Sequence, residues 1–111
     1  MTPDDSLDQH RRMIGEVGET IVVRRRLNGA IVAEVETTAR VMGYQPREIA
    51  GMIQAGDRKV IALVDTLAAL LPLTAADKLV IRNRECAIKS VDDNTRRIAG
   101  VLIALEIQAA G

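Results

Sequence analysis

The residues best equipped for chemistry in this chain are His10, Cys86, the Asp92-Asp93 pair and the arginine runs Arg24-Arg25-Arg26 and Arg96-Arg97. A histidine acting as general base or metal ligand needs neighbours that fix its ring. His10 is the only histidine and lies in a polar N-terminal stretch that offers none, so it reads as a solvated surface residue. Cys86 is the only cysteine, which excludes an internal disulfide and a cysteine-based zinc site; in its alternating run it reads as a small buried hydrophobe. Asp92 and Asp93 have the proximity of a cation site, but the following Asn94-Thr95 makes a polar turn the simpler reading. Gly15-Glu16-Val17-Gly18 matches half of a dinucleotide fingerprint, with no helix predicted after it. There is no nucleophile elbow, P-loop or HExxH motif. The expectation is a protein without catalysis, cofactor or metal.

The arginines allow two readings. Arg24 and Arg26 share one face of a predicted strand and Arg25 falls on the inward face, with Glu34 and Glu36 placed as cross-strand partners. That describes a solvated edge that deters wrong pairing. Alternatively Arg24, Arg26, Arg96 and Arg97 form basic patches toward DNA or an acidic partner, patches that would repeat and add up in a ring of copies. Arg82 and Arg84, beside a predicted turn, read as ordinary surface.

Composition narrows the partners. Fifteen basic and fifteen acidic side chains cancel, so no global field draws the chain to nucleic acid or a membrane. With 48% hydrophobic residues over 111 positions, one folded domain is expected. Tyr44 is the only aromatic residue. Small barrels that bind single strands stack bases on aromatic platforms, and this chain cannot build one. Neither a signal peptide nor a run of about 20 apolar residues is present, which predicts a reducing, aqueous compartment and no membrane.

Periodicity supplies the elements. Residues 1–18 read as an arm, with a capping-box spacing at Ser6-Leu7-Asp8-Gln9 and helical turns as far as Met13, before Gly15 and Gly18 break the pattern. Residues 19–111 read as the barrel domain. From Glu19 the period is two; Asn28-Gly29 supplies a type I′ hairpin turn; the next strand alternates from Ile31 to Met42. Residues 58–64 read as a strand covered on both faces, residues 65–73 as a short helical or 3₁₀ turn. A strand over 78–82, a turn at Asn83-Arg84 and a strand over 85–91 follow. A last strand runs over 98–108, with Val101, Ile103, Leu105 and Ile107 inward and Leu102, Ala104, Glu106 and Gln108 outward. Strands this short and this many predict a small antiparallel β-barrel or sandwich with little helix. The predicted core includes Ile21, Val23, Ile31, Val35, Val41, Val60, Leu79, Ile81, Ile88, Val101, Ile103 and Leu105. Between two strands lies one long loop, at about 43–57. It is punctuated by glycine yet carries Ile49, Met52 and Ile53, which a solvated hairpin would not need.

The order of features over residues 20–111 resembles the head-completion (stopper, or head-tail connector) proteins of long-tailed bacteriophages and phage-like elements. An N-terminal hairpin is followed by ARVMGYQPREIAGMIQAGDRKVIAL, then LPLTAADKLVIRNRECAIKSVDD, then the closing AGVLIALEIQAAG. In that family an extended loop leads into a Gly-Asp that opens the next strand, as Gly56-Asp57 would here. Ala76-Asp77 replaces the family's second Gly-Asp-like turn, and Asn83-Arg84 stands where the family often has a glycine turn.

The resemblance implies a virion structural protein of the neck, assembled in the host cytoplasm. Such a protein forms a homo-oligomeric ring, a hexamer or dodecamer, between portal or adaptor protein and the tail-terminator or tail-tube protein. The ring closes the DNA exit channel, with DNA nearby but read without sequence specificity. The loop is then mobile in the free subunit and ordered in the assembly. Ring contacts are expected at Tyr44, Ile49, Met52 and Ile53 and at the outer face of the last strand, Leu102 and Ala104. A tail-terminator subunit of the same neck, or a cytoplasmic small-barrel module binding peptide or nucleic acid, are the alternatives.

Overall fold

The computed structural model describes residues 2–44, 56–71, 73–74 and 76–110. Six antiparallel strands close into a barrel: β1 (Glu19–Leu27), β2 (Ala30–Gly43), β3 (Arg58–Leu63), β4 (Asp77–Ile81), β5 (Arg84–Asp92) and β8 (Ala104–Ala109). Around the barrel their order is β1-β2-β3-β8-β5-β4, and β4 pairs back onto β1. Between β5 and β8 stands a separate two-stranded ribbon, β6 (Arg97–Ile98) and β7 (Val101–Leu102). Of the expected mainly-β barrel or sandwich, the structure is the barrel, with one α-helix among the described residues.

Alternation dictates most of the core. Ile21 and Val23 of β1, Val60 and Ala62 of β3, Leu79 and Ile81 of β4, and Leu105 and Ile107 of β8 all fill the barrel. Cys86 sits among them, buried. A 3₁₀ helix, Asp65–Leu70, plugs one end. Its three-residue period stacks Leu67 and Leu70 on one face, both buried, and Leu73 follows them in. The plug is pinned to β2: the Thr66 hydroxyl donates to the Leu63 carbonyl at 3.0 Å and stands 2.6 Å from the buried Thr37 hydroxyl.

Residues 3–17 are not a loose arm. They form helix α1 (Pro3–Val17), capped by Thr2, whose side chain accepts from the Asp5 N–H while Asp5 accepts from the Thr2 N–H. The capping box lies four residues ahead of the predicted one, with Pro3 at the first turn. Gly15 does not stop the helix. Burial of Ile14 against Ile61, Leu63 and Ala104 outweighs the cost of one interior glycine. The helix ends at Gly18, where the backbone turns extended (φ -83, ψ 168); a Cβ there would lie 2.2 Å from the Ile14 carbonyl oxygen, so this close exit needs glycine. α1 thus docks on its own barrel, over the outer face of β3 and β8. That is why β3 is apolar on both sides.

Three further expectations need correction. The last strand is broken: Ala99 (φ 51) and Gly100 (φ 80) form a turn between β6 and β7, leaving Val101 49% exposed rather than in the core. Nothing in the alternation of side chains announces a positive φ at alanine. The β4–β5 turn is Arg82-Asn83 (φ 51 and 66), one residue earlier than predicted. Ile31 is 47% exposed because the β1–β2 hairpin outruns the barrel. Its Asn28-Gly29 turn (φ 53 and 82) is as expected.

Candidate functional site

The barrel has two ends of different character. At one end lie the starts of β1 and β3, the end of β2 and the Arg82-Asn83 turn. At the other lie the β1–β2 hairpin, the 3₁₀ plug, Asp77 and the β6–β7 ribbon.

At the plugged end β1 pairs with β4 only from Val22 to Arg25, and β2 with β3 only from Ala39 to Gly43. Residues 26–32 therefore project as a two-stranded ribbon. Leu27 (63%), Ile31 (47%) and Val32 (55%) are its exposed apolar side chains. Beneath it Arg25, in the inward register of Ile21 and Val23, turns to the wholly buried Asp77. Its Nε and Nη2 donate to the two carboxylate oxygens at 2.8 and 3.1 Å, and Nη2 also donates to the Leu70 carbonyl at 2.6 Å. Burial acts to raise the Asp77 carboxyl. The Arg25 bonds and the Thr74 N–H outweigh it and hold the group below the usual carboxylate range. On the far side of the plug an apolar groove of about 420 Å³ is lined by Leu71, Leu73, Val91, Leu102, Leu105 and Asp93.

The other end is a mouth of about 290 Å³ whose wall is part apolar, at Val41 and Met42, and part charged, at Asp57, Arg58 and Arg82, with Tyr44 and Gly56 beside them. The Lys59 ammonium stands 5.3 Å from the centre of the Tyr44 ring, a cation–π distance. Asp57, buried just after Gly56, accepts from Lys89 at 2.8 Å and from Gln108 at 3.1 Å; Ser90 in turn donates to Gln108. This network holds the start of β3 to β5 and β8. It buries Gln108, which stands on the outer face of β8 as expected.

The predicted interface residues separate. Tyr44 stands at the mouth beside Arg58. Leu102 is half-buried and lines the apolar groove. Ala104 is on the outer face as read, yet it has no exposed surface because α1 covers it. It therefore offers nothing to a neighbour while the helix is docked. Ile49, Met52 and Ile53, with the rest of residues 45–55, lie outside the described residues.

The four arginines proposed as partner contacts are engaged within the chain. Arg24 bonds Glu34 at 2.6 Å and Glu85 at 2.9 Å, and Arg26 bonds Glu85 and the Gly29 carbonyl. Glu34 is the cross-strand partner expected of Arg24; Glu36 stands opposite Val22 instead. The Arg26 and Arg24 bonds hold the Glu85 carboxyl below its usual range. Arg96 clamps Glu106 and reaches His10, and Arg97 caps the Asp93 and Gly100 carbonyls. His10 is accordingly half-buried: Nδ1–H donates to the Ser6 carbonyl at 2.8 Å, and Nε2 accepts from Arg96 at 3.0 Å. It ties α1 to the β6 segment and is not the solvated residue expected. Asp92 accepts from the Asn94 and Thr95 N–H groups and the Thr95 hydroxyl, which is turn chemistry. Those bonds, the Thr95 hydroxyl foremost, hold its carboxyl low.

Among the described residues no group of three or more His, Cys, Asp or Glu is placed to hold a metal ion, and no helix is long and apolar enough to cross a membrane. Sequence reasoning missed the Arg25–Asp77 pair and the Asp57–Lys89–Gln108 network. Only the inward register of Arg25 hinted at the first; the partners of the second are distant in sequence.

The molecule is thus a closed antiparallel barrel with a docked N-terminal helix and contrasting ends. In comparisons with known proteins the chain matches no family model, no curated protein and no solved structure.

Proposed function

We propose that this chain is a non-enzymatic structural subunit of a phage neck. It forms a ring between portal or adaptor and tail, closes the DNA exit channel and presents the surface on which the tail docks. The observation that carries this reading is the β1–β2 hairpin, which leaves the barrel with Leu27, Ile31 and Val32 uncovered. A two-stranded ribbon with an apolar tip is marginal alone and gains stability when another surface covers it. The order of features along residues 20–111, resembling stopper proteins, supports the same conclusion. Contacts in a closed ring are heterologous, so each copy needs two different surfaces. The hairpin tip supplies one; the groove at Leu71, Leu73, Val91 and Leu102 supplies the second, in place of the covered Ala104.

The test is a particle made with the double variant Leu27→Asp, Val32→Asp. The isolated chain should stay folded, because both side chains are exposed, while particles fail to join tails or leak DNA. Normal infectious or transducing particles would remove the hairpin's role, and complete particles lacking the chain altogether would remove the neck reading. Overlong tails on those particles would move the chain to the tail-terminator position.

A further inference from the structure

We infer that the mouth around Arg58 is a binding site for a carboxylate side chain presented by an acidic segment of a partner protein. Arg58 lies in the inward register of Val60 and Ala62, between Gly43 of β2 and Ala109 of β8. Its side chain enters the barrel end, where Nη1 is buried with no hydrogen-bond acceptor. A buried donor on a charged group without an acceptor is costly and uncommon. The same chain shows how it satisfies an inward arginine: Arg25 has both oxygens of Asp77 and the Leu70 carbonyl.

The carboxylates near the mouth have other partners. Asp57 accepts from Lys89 and Gln108, and Glu19 is held by Arg82 at 2.6 Å. Among the described residues no acidic side chain forms an ion pair with Arg58. The mouth is left with a cationic fork, a second guanidinium 65% exposed at its rim, and about 290 Å³ of space. Nη1 itself is closed to solvent, so a carboxylate would meet the guanidinium along its Nε–Nη2 edge, in two parallel bonds, and neutralise the charge that the buried nitrogen shares. The concave recess suits a side chain on a flexible tether. A duplex backbone, convex and wide, would meet Arg82 at the rim and not Arg58. The site is independent of the neck reading: it stands or falls on the isolated chain.

The probes are a blocked pentapeptide with one central glutamate among glycines, the same peptide with glutamine, and inorganic phosphate. The readout is the backbone amide resonance of Gly56 at the mouth, present in every variant, with the Nε–Hε resonance of Arg58 as a second probe in the unaltered chain. The glutamate peptide should give a saturable shift, the glutamine twin should bind at least about tenfold more weakly, and Arg58→Gln should abolish the response. Arg82→Gln should weaken it severalfold, and Arg58→Lys should retain part of it. Equal binding of the glutamine twin to the unaltered chain would overturn the proposal whether or not the variants fold. So would phosphate binding with no response to the peptide. Thermal melts supply a further check. If Glu48→Gln lowers Tm as much as Arg58→Gln and the double variant adds nothing, the arginine's acceptor is in the chain itself, and the proposal fails.

Discussion

Arg25 and Arg58 enter the same barrel from opposite ends, in the same inward register, and meet different surroundings. Arg25 finds a carboxylate with no solvent exposure, a backbone carbonyl and a plug of leucines behind it. Arg58 finds a cavity and leaves one nitrogen without an acceptor. The lesson concerns how to read a buried charge. Where its partners are complete it closes an end of the fold; where they are not, it marks a place for something else to bind.

The largest effect should come from breaking the complete pair. Asp77→Ala leaves Arg25 without its counter-ion and should cost about 3 kcal/mol in urea unfolding. That is the low end for a buried pair, because the Arg25 side chain is 34% exposed and water can reach it. Acid should reveal the same pair less strongly. The Asp77 carboxyl is held below its ordinary range in the fold, so the folded state takes up its proton less readily than the unfolded chain. Its stabilisation is complete above the unfolded value of about 3.9 and is lost as pH falls through the lower folded value. Melting followed from about pH 6 downward should show the gap between the native chain and Asp77→Asn narrowing only below about pH 4. Glu85 and Asp92, held low as well, should add to the loss in both proteins. The smallest effect is expected at the other end. Arg58→Met replaces an incompletely bonded charge by an apolar side chain of similar length and should leave stability within about 1 kcal/mol of the native chain, or raise it. A larger loss from Arg58→Met than from Asp77→Ala would reverse the comparison, and with it the assignment of the mouth as a binding end.

Much of this architecture is legible in the residues. Residues 20–27 and 31–42 alternate so regularly that only a hairpin joined by Asn28-Gly29 satisfies them. The two apolar faces of residues 58–63 require a cover on each side, and the structure supplies the barrel interior on one and α1 on the other. The inward register of Arg25 is visible too. What escapes is whatever depends on partners far along the chain. Helix α1 looked like an arm because Gly15 and Gly18 interrupt its pattern; its length is set by the packing of Ile14 on Ile61, Leu63 and Ala104. The last strand looked continuous because side-chain alternation persists across the turn at Ala99-Gly100, where only the backbone reverses.

The sequence by itself determined the class of the molecule: an antiparallel β-protein, rich in apolar alternation, balanced in charge and without aromatic stacking groups. Those properties follow from local periodicity and composition, which need no knowledge of neighbours. The tertiary structure alone decided which charges are spent and which remain. Arg24, Arg26, Arg96 and Arg97 are equivalent to Arg58 as letters, yet each meets a carboxylate or a carbonyl brought to it by the fold, while Arg58 keeps a donor without an acceptor. Closing the barrel fixes that difference, because closure sets which strands are neighbours and how far each runs past the next, and so which side chains come within bonding distance.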